Sequence, residues 1–79
     1  GPKGVDKGTM LERIARFHHI DLKDTIAFGN GENDLPMLIK AGTGVAMGNA
    51  LDHVKEYSNA VCDDCDHDGI GKYLEDLLL

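Results

Sequence analysis

The sequence predicts an α/β fold in which a parallel sheet of about three strands is covered by helices. Helix-like and strand-like segments alternate along the 79 residues in the order α-β-α-β-α-β-α, and strands separated by helices favour a parallel sheet with right-handed connections. The strand-like segments are also short and apolar, as expected for strands with helices on both faces. A chain of this length forms one domain at most, so residues 1–79 are expected to be a single domain.

The first helix and the first strand are predicted from the spacing of apolar residues. Apolar side chains recur at helical spacing over residues 10–17, with charged residues between them. Asp6 or Gly8 can open this helix, and the pattern fades at residues 18–19. The run Thr-Ile-Ala-Phe at 25–28 is rich in β-forming residues and predicts a buried strand.

A polar loop separates this strand from a second helix. Glycines and short polar residues at 29–32 end the strand, and Asn33 or Asp34 can cap the helix that follows. Pro36 fits the first turn of that helix. The apolar run at 44–47 then predicts a second buried strand.

The last third of the chain predicts a helix, a weaker strand and a final helix. Asn49, with Asp52 three residues later, resembles a capping arrangement for the third helix. Residues 60–62 predict the third strand. An acidic loop at 63–68 precedes an amphipathic final helix that starts near Gly69.

Composition and charge argue against several classes of function. The chain has 14 acidic residues against 8 basic ones, a net charge of −6, which argues against a nucleic-acid partner because phosphate contacts need clustered lysine and arginine. No apolar run approaches the roughly 20 residues of a membrane span, and no signal peptide is visible at the start. We therefore expect a cytoplasmic protein without a membrane partner, in which Cys62 and Cys65 are reduced.

Polar loops follow all three predicted strands, so they are expected to share one rim of the sheet. In open parallel sheets, ligands bind at the carboxyl ends of the strands. The first loop offers hard oxygen atoms, which suit Mg²⁺. Since the same residue types make tight turns and caps, a purely structural loop is an equally good interpretation of composition alone. The oxygen-bearing residues are Asn30, Glu32, Asn33 and Asp34.

Lys7 lies in the segment before the first predicted helix. A lysine at a helix start opposes the helix dipole, so a carboxylate or a phosphate would be a favourable partner. A solvated surface lysine is the plainer interpretation of the residue by itself.

Several motifs together resemble the C-terminal part of the haloacid dehalogenase-like phosphatases, specifically their Cof-type subfamily. The match keeps order and spacing almost from end to end, which is far more specific than any one motif. The segments that carry it are GVDKG at 4–8, IAFGNGENDLPML at 26–38, AGTGVAMGNA at 41–50 and DGI at 68–70.

This resemblance implies a three-layer, Rossmann-like core and a Mg²⁺-dependent phosphatase that acts on small phosphorylated metabolites. Lys7 matches the family's lysine that steadies the nucleophile and the phosphate charge, and is thus a catalytic and phosphate-binding candidate. Asn33 matches a residue that reaches towards the phosphate. Asp34 matches the second acidic position, near the metal and the lysine, and Asn30 stands where the family usually has a metal-binding aspartate.

Two departures from the family pattern change the expected activity. The family's nucleophilic aspartate belongs to a DxDx(T/V) motif that residues 1–79 lack, so we expect the C-terminal portion of a core without a cap domain, inactive alone. Asn30 replaces a charge with a neutral amide. Because charge is the main source of Mg²⁺ binding energy, we expect weak metal affinity.

Two alternatives to a phosphatase remain at this stage. A non-catalytic module could hold a phosphorylated ligand on the same rim, or self-associate through an exposed sheet edge. A small zinc site is suggested by the CxxC spacing of Cys62 and Cys65, with His67 two residues later. Structural zinc usually takes four ligands from two such pairs, so a buried thiol at 62 and a loop residue at 65 is the plainer interpretation.

Overall fold

Three parallel strands form the centre of the fold in the computed structural model, which describes residues 6–63 and 68–78. The strand order is β1-β2-β3, and the element order is the predicted one. The elements are α1 (Lys7–Phe17), a 3-10 turn (Leu22–Asp24), β1 (Ile26–Gly29), a second 3-10 turn (Glu32–Asp34), α2 (Leu35–Lys40), β2 (Thr43–Ala46), α3 (Asp52–Glu56), β3 (Ala60–Val61) and α4 (Gly69–Leu78).

The strands pair in simple parallel register. Ile26 lies opposite Thr43, and Val45 lies opposite Ala60. The hydrogen bonding continues one residue beyond β2 and β3, because the Met47 and Cys62 N–H groups donate to strand carbonyls, each at 2.9 Å. The predicted strands at 25–28 and 44–47 each start one residue away from the observed ones, and the third is one residue shorter than predicted.

Both faces of the sheet are covered, which confirms the predicted three-layer arrangement. One face packs on α2 and α3 through a core that includes Ala27, Leu38 and Val54. On the other face, Phe28 makes an edge-to-face contact with Tyr73 of α4, with ring centroids 5.8 Å apart. Short side chains such as Ala27 and Ala46 let the helices approach the sheet closely.

α1 begins with a side-chain cap. The Asp6 carboxylate accepts a hydrogen bond from the Thr9 N–H at 2.8 Å, as is typical of a helix start. Lys7 is therefore the first residue of the helix and does not precede it, which corrects the sequence-based boundary. The helix ends at Phe17, where the predicted pattern fades.

The other two predicted caps do not form. Asp34 occupies the N-cap position of α2, but its side chain does not cap the helix. Leu51 occupies the N-cap position of α3, without a side-chain cap hydrogen bond, so the predicted Asn49 cap is wrong. Within the described residues, no helix combines the length and the apolarity that crossing a membrane would require.

Candidate active site

A cavity of about 320 Å³ opens where β1 and β2 end. Polar side chains reach it from three places in the chain: the start of α1, the loop after β1 and the loop after β2. The location agrees with the rule that ligands bind at the carboxyl ends of parallel strands. Its polar lining residues are Lys7, Asn30, Asp34 and Asn49, and its apolar ones are Phe28, Met37, Met47 and Ile70.

Lys7 and Asp34 form an ion pair at this cavity. The Lys7 ammonium donates a hydrogen bond to Oδ1 of Asp34, although the two residues are 27 positions apart in the sequence. The lysine side chain is 47% exposed and the aspartate side chain 9% exposed. The lysine therefore has the carboxylate partner that its place at a helix start favours, and its charge still faces the cavity.

The second oxygen of Asp34 organises the loop after β1. Oδ2 accepts hydrogen bonds from the N–H groups of Asn30, at 3.0 Å, and Gly31, at 3.2 Å. Gly29 makes room for this side chain, since a Cβ atom at Gly29 would lie 2.6 Å from the Asp34 Cβ. The carboxylate thus joins α1, the end of β1 and the start of α2.

These contacts keep the Asp34 carboxylate ionised. Burial by itself raises the pKa of this group, but the hydrogen bonds from Lys7 and from the Asn30 and Gly31 N–H groups outweigh burial and hold the pKa below the ordinary value of an aspartate. Both oxygens are occupied by donors, so Asp34 is built to hold Lys7 and the loop in place.

The two asparagines of the loop differ in position. Asn30 is exposed and lines the cavity. Asn33 is also exposed but is not among the cavity-lining residues, and its Oδ1 lies 3.0 Å from where a Cβ atom of Gly31 would stand. The structure therefore brings Lys7, Asn30 and Asp34 together and leaves Asn33 beside them.

Sequence reasoning missed two features of the site. Met37 and Met47 form part of an apolar wall beside the polar groups, and a lone methionine in an apolar run carries no signal that distinguishes it from core. The His53 imidazole of α3 lies 3.0 Å from the Glu32 carboxylate, linking α3 to the loop after β1. That contact depends on how α3 packs, which no local pattern reveals.

Comparison with known proteins identifies the family. The family model of the haloacid dehalogenase-like hydrolases matches residues 1–74. The chain belongs to this family. The resemblance predicted from the motifs is thus confirmed.

The haloacid dehalogenase-like relatives include two phosphatases named for small phosphorylated compounds. The chain is 38% identical over 73 residues to the 5-amino-6-(5-phospho-D-ribitylamino)uracil phosphatase YitU of Bacillus subtilis, covering 92% of this chain and 27% of YitU. It is 42% identical over 76 residues to a phosphoglycolate phosphatase of Methanopyrus kandleri, covering 96% of this chain and 33% of that protein.

A solved haloacid dehalogenase-like structure confirms the fold. A hydrolase of this family from Bacteroides thetaiotaomicron superimposes with a TM-score of 0.91 at 37% identity, over 96% of this chain and 29% of the other. This chain therefore spans about a third or less of the length of the relatives it matches.

The described residues do not by themselves fit a Mg²⁺ site. Asn30 offers a neutral carbonyl oxygen, and both oxygens of Asp34 already accept hydrogen bonds. In residues 6–63 and 68–78 no three His, Cys, Asp or Glu side chains are grouped as metal ligands. Magnesium usually takes one or two carboxylates from a protein, and Asp34, whose oxygens both already accept hydrogen bonds, is the one carboxylate among the described residues that line this cavity.

The thiol of Cys62 is a core group. Cys62 is buried, and its Sγ atom lies 3.6 Å from the Met47 sulfur. Burial raises the pKa of the thiol, with a smaller contribution from Asp63, so the unreactive thiol form is favoured at neutral pH. Cys65 and His67, the other members of the suggested zinc set, lie outside the described residues.

Proposed function

We propose that this chain forms the phosphate-facing part of a phosphatase that hydrolyses small phosphorylated metabolites. The observation that carries the proposal is the Lys7–Asp34 pair, whose half-exposed cation faces a cavity at the carboxyl ends of the strands. Membership of the haloacid dehalogenase-like family supports the reaction class. The phosphatase names of two relatives support a small phosphorylated substrate.

The proposed roles follow from charge and burial. Lys7 would neutralise negative charge on the phosphate, and Asp34 would act through Lys7 by fixing the position of its ammonium group. Asn33, exposed in the same loop as Asn30, would donate its side-chain amide N–H to a phosphate oxygen. Ionised Asp34 carries no proton to donate, so its part in catalysis would be positional.

The isolated chain should have no activity. Electrostatic support accelerates only an attack that some other group performs, and residues 1–79 lack the family's DxDx(T/V) motif. We propose that these residues are the C-terminal portion of a phosphatase core domain, without the cap domain. The nucleophile would then belong to the rest of that core domain. A cytoplasmic location stays a prediction.

A chimera tests the proposal. The 73 matched residues of YitU would be replaced by this chain, and hydrolysis of the YitU substrate and of p-nitrophenyl phosphate measured. We expect activity that Lys7→Ala lowers by about 100-fold or more, as for other groups that stabilise transition-state charge. Lys72→Ala is the matched control, because Lys72 is also an ion-paired, half-exposed lysine, with Asp63 as its partner, and does not line the cavity.

Two results would contradict this proposal. Turnover by the pure 79-residue chain would show that these residues themselves contain the nucleophile. A folded, active chimera that loses nothing on Lys7→Ala would show that the lysine has no role in the reaction.

Magnesium would supply further neutralisation of phosphate charge in the complete phosphatase. We propose that Asn30 faces the metal there, that Asp34 lies near it and acts through Lys7, and that most of the metal's charged ligands come from the remaining part. Under this proposal Asn30→Asp restores a charge and strengthens Mg²⁺ binding by the chimera about tenfold or more. Isothermal titration measures the change.

Asn49→Asp is the control for that substitution, since it adds the same charge to the same cavity from the loop after β2. A smaller gain is expected for Asn49→Asp. Equal Mg²⁺ affinity of the Asn30→Asp and unsubstituted chimeras would show that Asn30 does not face the metal.

The second candidate function is a non-catalytic module for phosphorylated ligands. The neutral Asn30 favours it, because a rim with a cation and amides suits an anion without a metal. A folded chimera that binds inorganic phosphate, loses this binding on Lys7→Ala and hydrolyses neither substrate would support the module over the enzyme. Self-association through an exposed edge of the sheet remains a separate prediction.

A further inference from the structure

We propose that Asn30 is a site of spontaneous deamidation, at which the side-chain amide is converted to a carboxylic acid in the folded chain. Asn30 is exposed in the loop after β1 and is followed directly by Gly31. The co-reactant is water. The inference rests on the geometry of this loop and does not need the proposed catalytic roles.

The reaction joins the side chain of Asn30 to the next backbone nitrogen. The Gly31 nitrogen attacks Cγ of Asn30, the bond between Cγ and Nδ2 breaks, and ammonia leaves with the proton of the Gly31 N–H. Water then opens the succinimide ring that has formed. Opening at Cγ gives aspartate, and opening at the main-chain carbonyl gives isoaspartate. In both cases an amide and water become an acid and ammonia, with no change of oxidation state.

The first observation is the residue that supplies the attacking nitrogen. Of the four asparagines in the chain, Asn30 is the one that precedes a glycine. Glycine has no Cβ atom to hinder the attack, and its backbone is free enough to bring the nitrogen to the side chain. Gly31 also lies at a bend, before the second 3-10 turn begins. The other three asparagines precede Asp34, Ala50 and Ala60.

The second observation is how each attacking N–H is held. The Gly31 N–H donates to Oδ2 of Asp34 at 3.2 Å, and it shares that oxygen with the Asn30 N–H. By contrast, the Asp34 N–H donates to the Gly31 carbonyl at 3.0 Å. The Ala50 N–H donates to the Met47 carbonyl at 2.9 Å. Attack at Asn30 therefore requires the loss of one long side-chain contact, whereas attack at the other two sites requires a backbone turn to open.

The third observation is the environment of the amide group. Oδ1 of Asn59 accepts a hydrogen bond from the Gly44 N–H at 2.7 Å, which fixes that side chain against the sheet. The Asn30 side chain instead lines the open cavity at the end of β1, where solvent reaches it. Asn30 therefore combines a glycine neighbour, a loosely held nitrogen and access to water.

Deamidation would change the charge of the cavity. Among the described residues that line it, Lys7 and Asp34 carry opposite charges that cancel. An added carboxylate at position 30 makes the lining negative, which weakens its attraction for an anion and strengthens its attraction for a cation. The isoaspartate product also lengthens the backbone between the two N–H groups that Asp34 holds.

Peptide mapping by mass spectrometry tests this proposal. The folded chain is incubated at mildly alkaline pH, and the conversion of each asparagine is followed with time. We expect Asn30 to convert about tenfold or more faster than the other three asparagines. Gly31→Ala should remove this difference. The added Cβ atom would lie 3.0 Å from Oδ1 of Asn33, an exposed side chain that can move aside.

Ala50→Gly is the matched control, because it places a second asparagine before a glycine. The N–H at position 50 can still donate to the Met47 carbonyl. In the folded chain Asn49 should therefore convert about tenfold more slowly than Asn30, whereas in urea the two should convert at similar rates. The same variants in the YitU chimera keep the test decisive if a substitution unfolds the isolated chain.

Two results would overturn this inference. The first is that Asn30 converts no faster than the other asparagines under native conditions. The second is that Asn49 in the Ala50→Gly variant converts as fast as Asn30 under those conditions, since the dipeptide sequence would then set the rate without any contribution from the fold.

Discussion

One buried side chain, that of Asp34, is hydrogen-bonded to three other residues of the site. It is the charged residue that the described part of the chain buries, at 6% exposure, and it accepts hydrogen bonds from Lys7, Asn30 and Gly31. Leaving such donors unpaired costs more than the bonds themselves contribute. Stability at this position should therefore depend on the ionisation of one carboxyl group.

The first prediction concerns the pH dependence of that stability. The pKa of Asp34 is lower in the folded chain than in the unfolded one, so its contribution is fully present above the unfolded value of about 3.9 and is lost as the pH falls through the lower folded value. We expect Asp34→Asn to reduce the free energy of unfolding by about 1 kcal/mol at neutral pH, a modest figure because Lys7 is half exposed.

Urea unfolding at several pH values measures this difference. The deficit of Asp34→Asn should shrink as the pH falls below the range in which unfolded aspartates titrate. Asp24→Asn, which changes an exposed carboxylate, should show no such trend. A deficit that is the same at neutral and acid pH would mean that the aspartate's shape, and not its charge, stabilises the loop.

The sequence predicted the chemistry of this residue set better than its geometry. A lysine at a helix start indicated a carboxylate or phosphate partner, and the motifs placed Asn30 and Asp34 in one loop. The choice of Asp34 depends on α1 packing against α2, a contact between segments 27 residues apart. Likewise, Asp34 could be taken for a helix cap because caps and loop-holding carboxylates use the same residue types.

At the scale of elements, the order of helices and strands was predictable because hydrophobic periodicity and the residues that begin or end an element both belong to the local sequence. Strand boundaries shifted by one residue, since strand ends depend on which N–H groups find partners across the sheet. The predicted Asn49 cap failed for a related reason. α3 begins after Leu51, so the capping position falls two residues beyond the asparagine.

The contact between α1 and α2 allows a second prediction, at Gly8. A Cβ atom at Gly8 would lie 2.8 Å from the Pro36 carbonyl oxygen, a backbone atom that cannot move aside easily. Ala favours a helix over Gly by about 1 kcal/mol, but overpacking costs about 1–3 kcal/mol. We expect Gly8→Ala to destabilise the chain by about 1 kcal/mol and to displace Lys7 from Asp34.

Gly71 provides the matched control within α4. Outside the backbone of its own helix, the three described atoms nearest to a Cβ atom there belong to the Asp68 carboxylate, the first of them 2.6 Å away, and this side chain is exposed and can rotate. Gly71→Ala should therefore leave stability unchanged or raise it. Chemical denaturation of both variants decides the matter, and the same sign of change for both would indicate that helix propensity alone governs these positions.

At the scale of the whole molecule, a chain of 79 residues forms only a small hydrophobic core. A domain near this size buries only about 60% of the surface that its unfolded chain exposes, and some of the apolar surface here stays open at β1 and α1. Among the described residues, the largest fully buried side chains are Leu38, Val45 and Val54. Each should therefore carry a large share of the stability.

The third prediction follows for Leu38. It is 1% exposed and packs with Ala27 and Val54 between α2 and the sheet. Leu→Ala in a core costs about 2–5 kcal/mol, against a total of roughly 4–12 kcal/mol for a chain of this length. Leu38→Ala should therefore leave the isolated chain only marginally stable. Circular dichroism on heating measures the fall in melting temperature.

The neighbouring, exposed residue of α2 is the control for this substitution. Ile39 is 62% exposed, so Ile39→Ala should change the melting temperature little. In the YitU chimera Leu38→Ala should be better tolerated, because a longer folded chain has more total stability while the local cavity cost stays the same. An isolated Leu38→Ala chain as stable as Ile39→Ala would show that the buried face of α2 contributes little to folding.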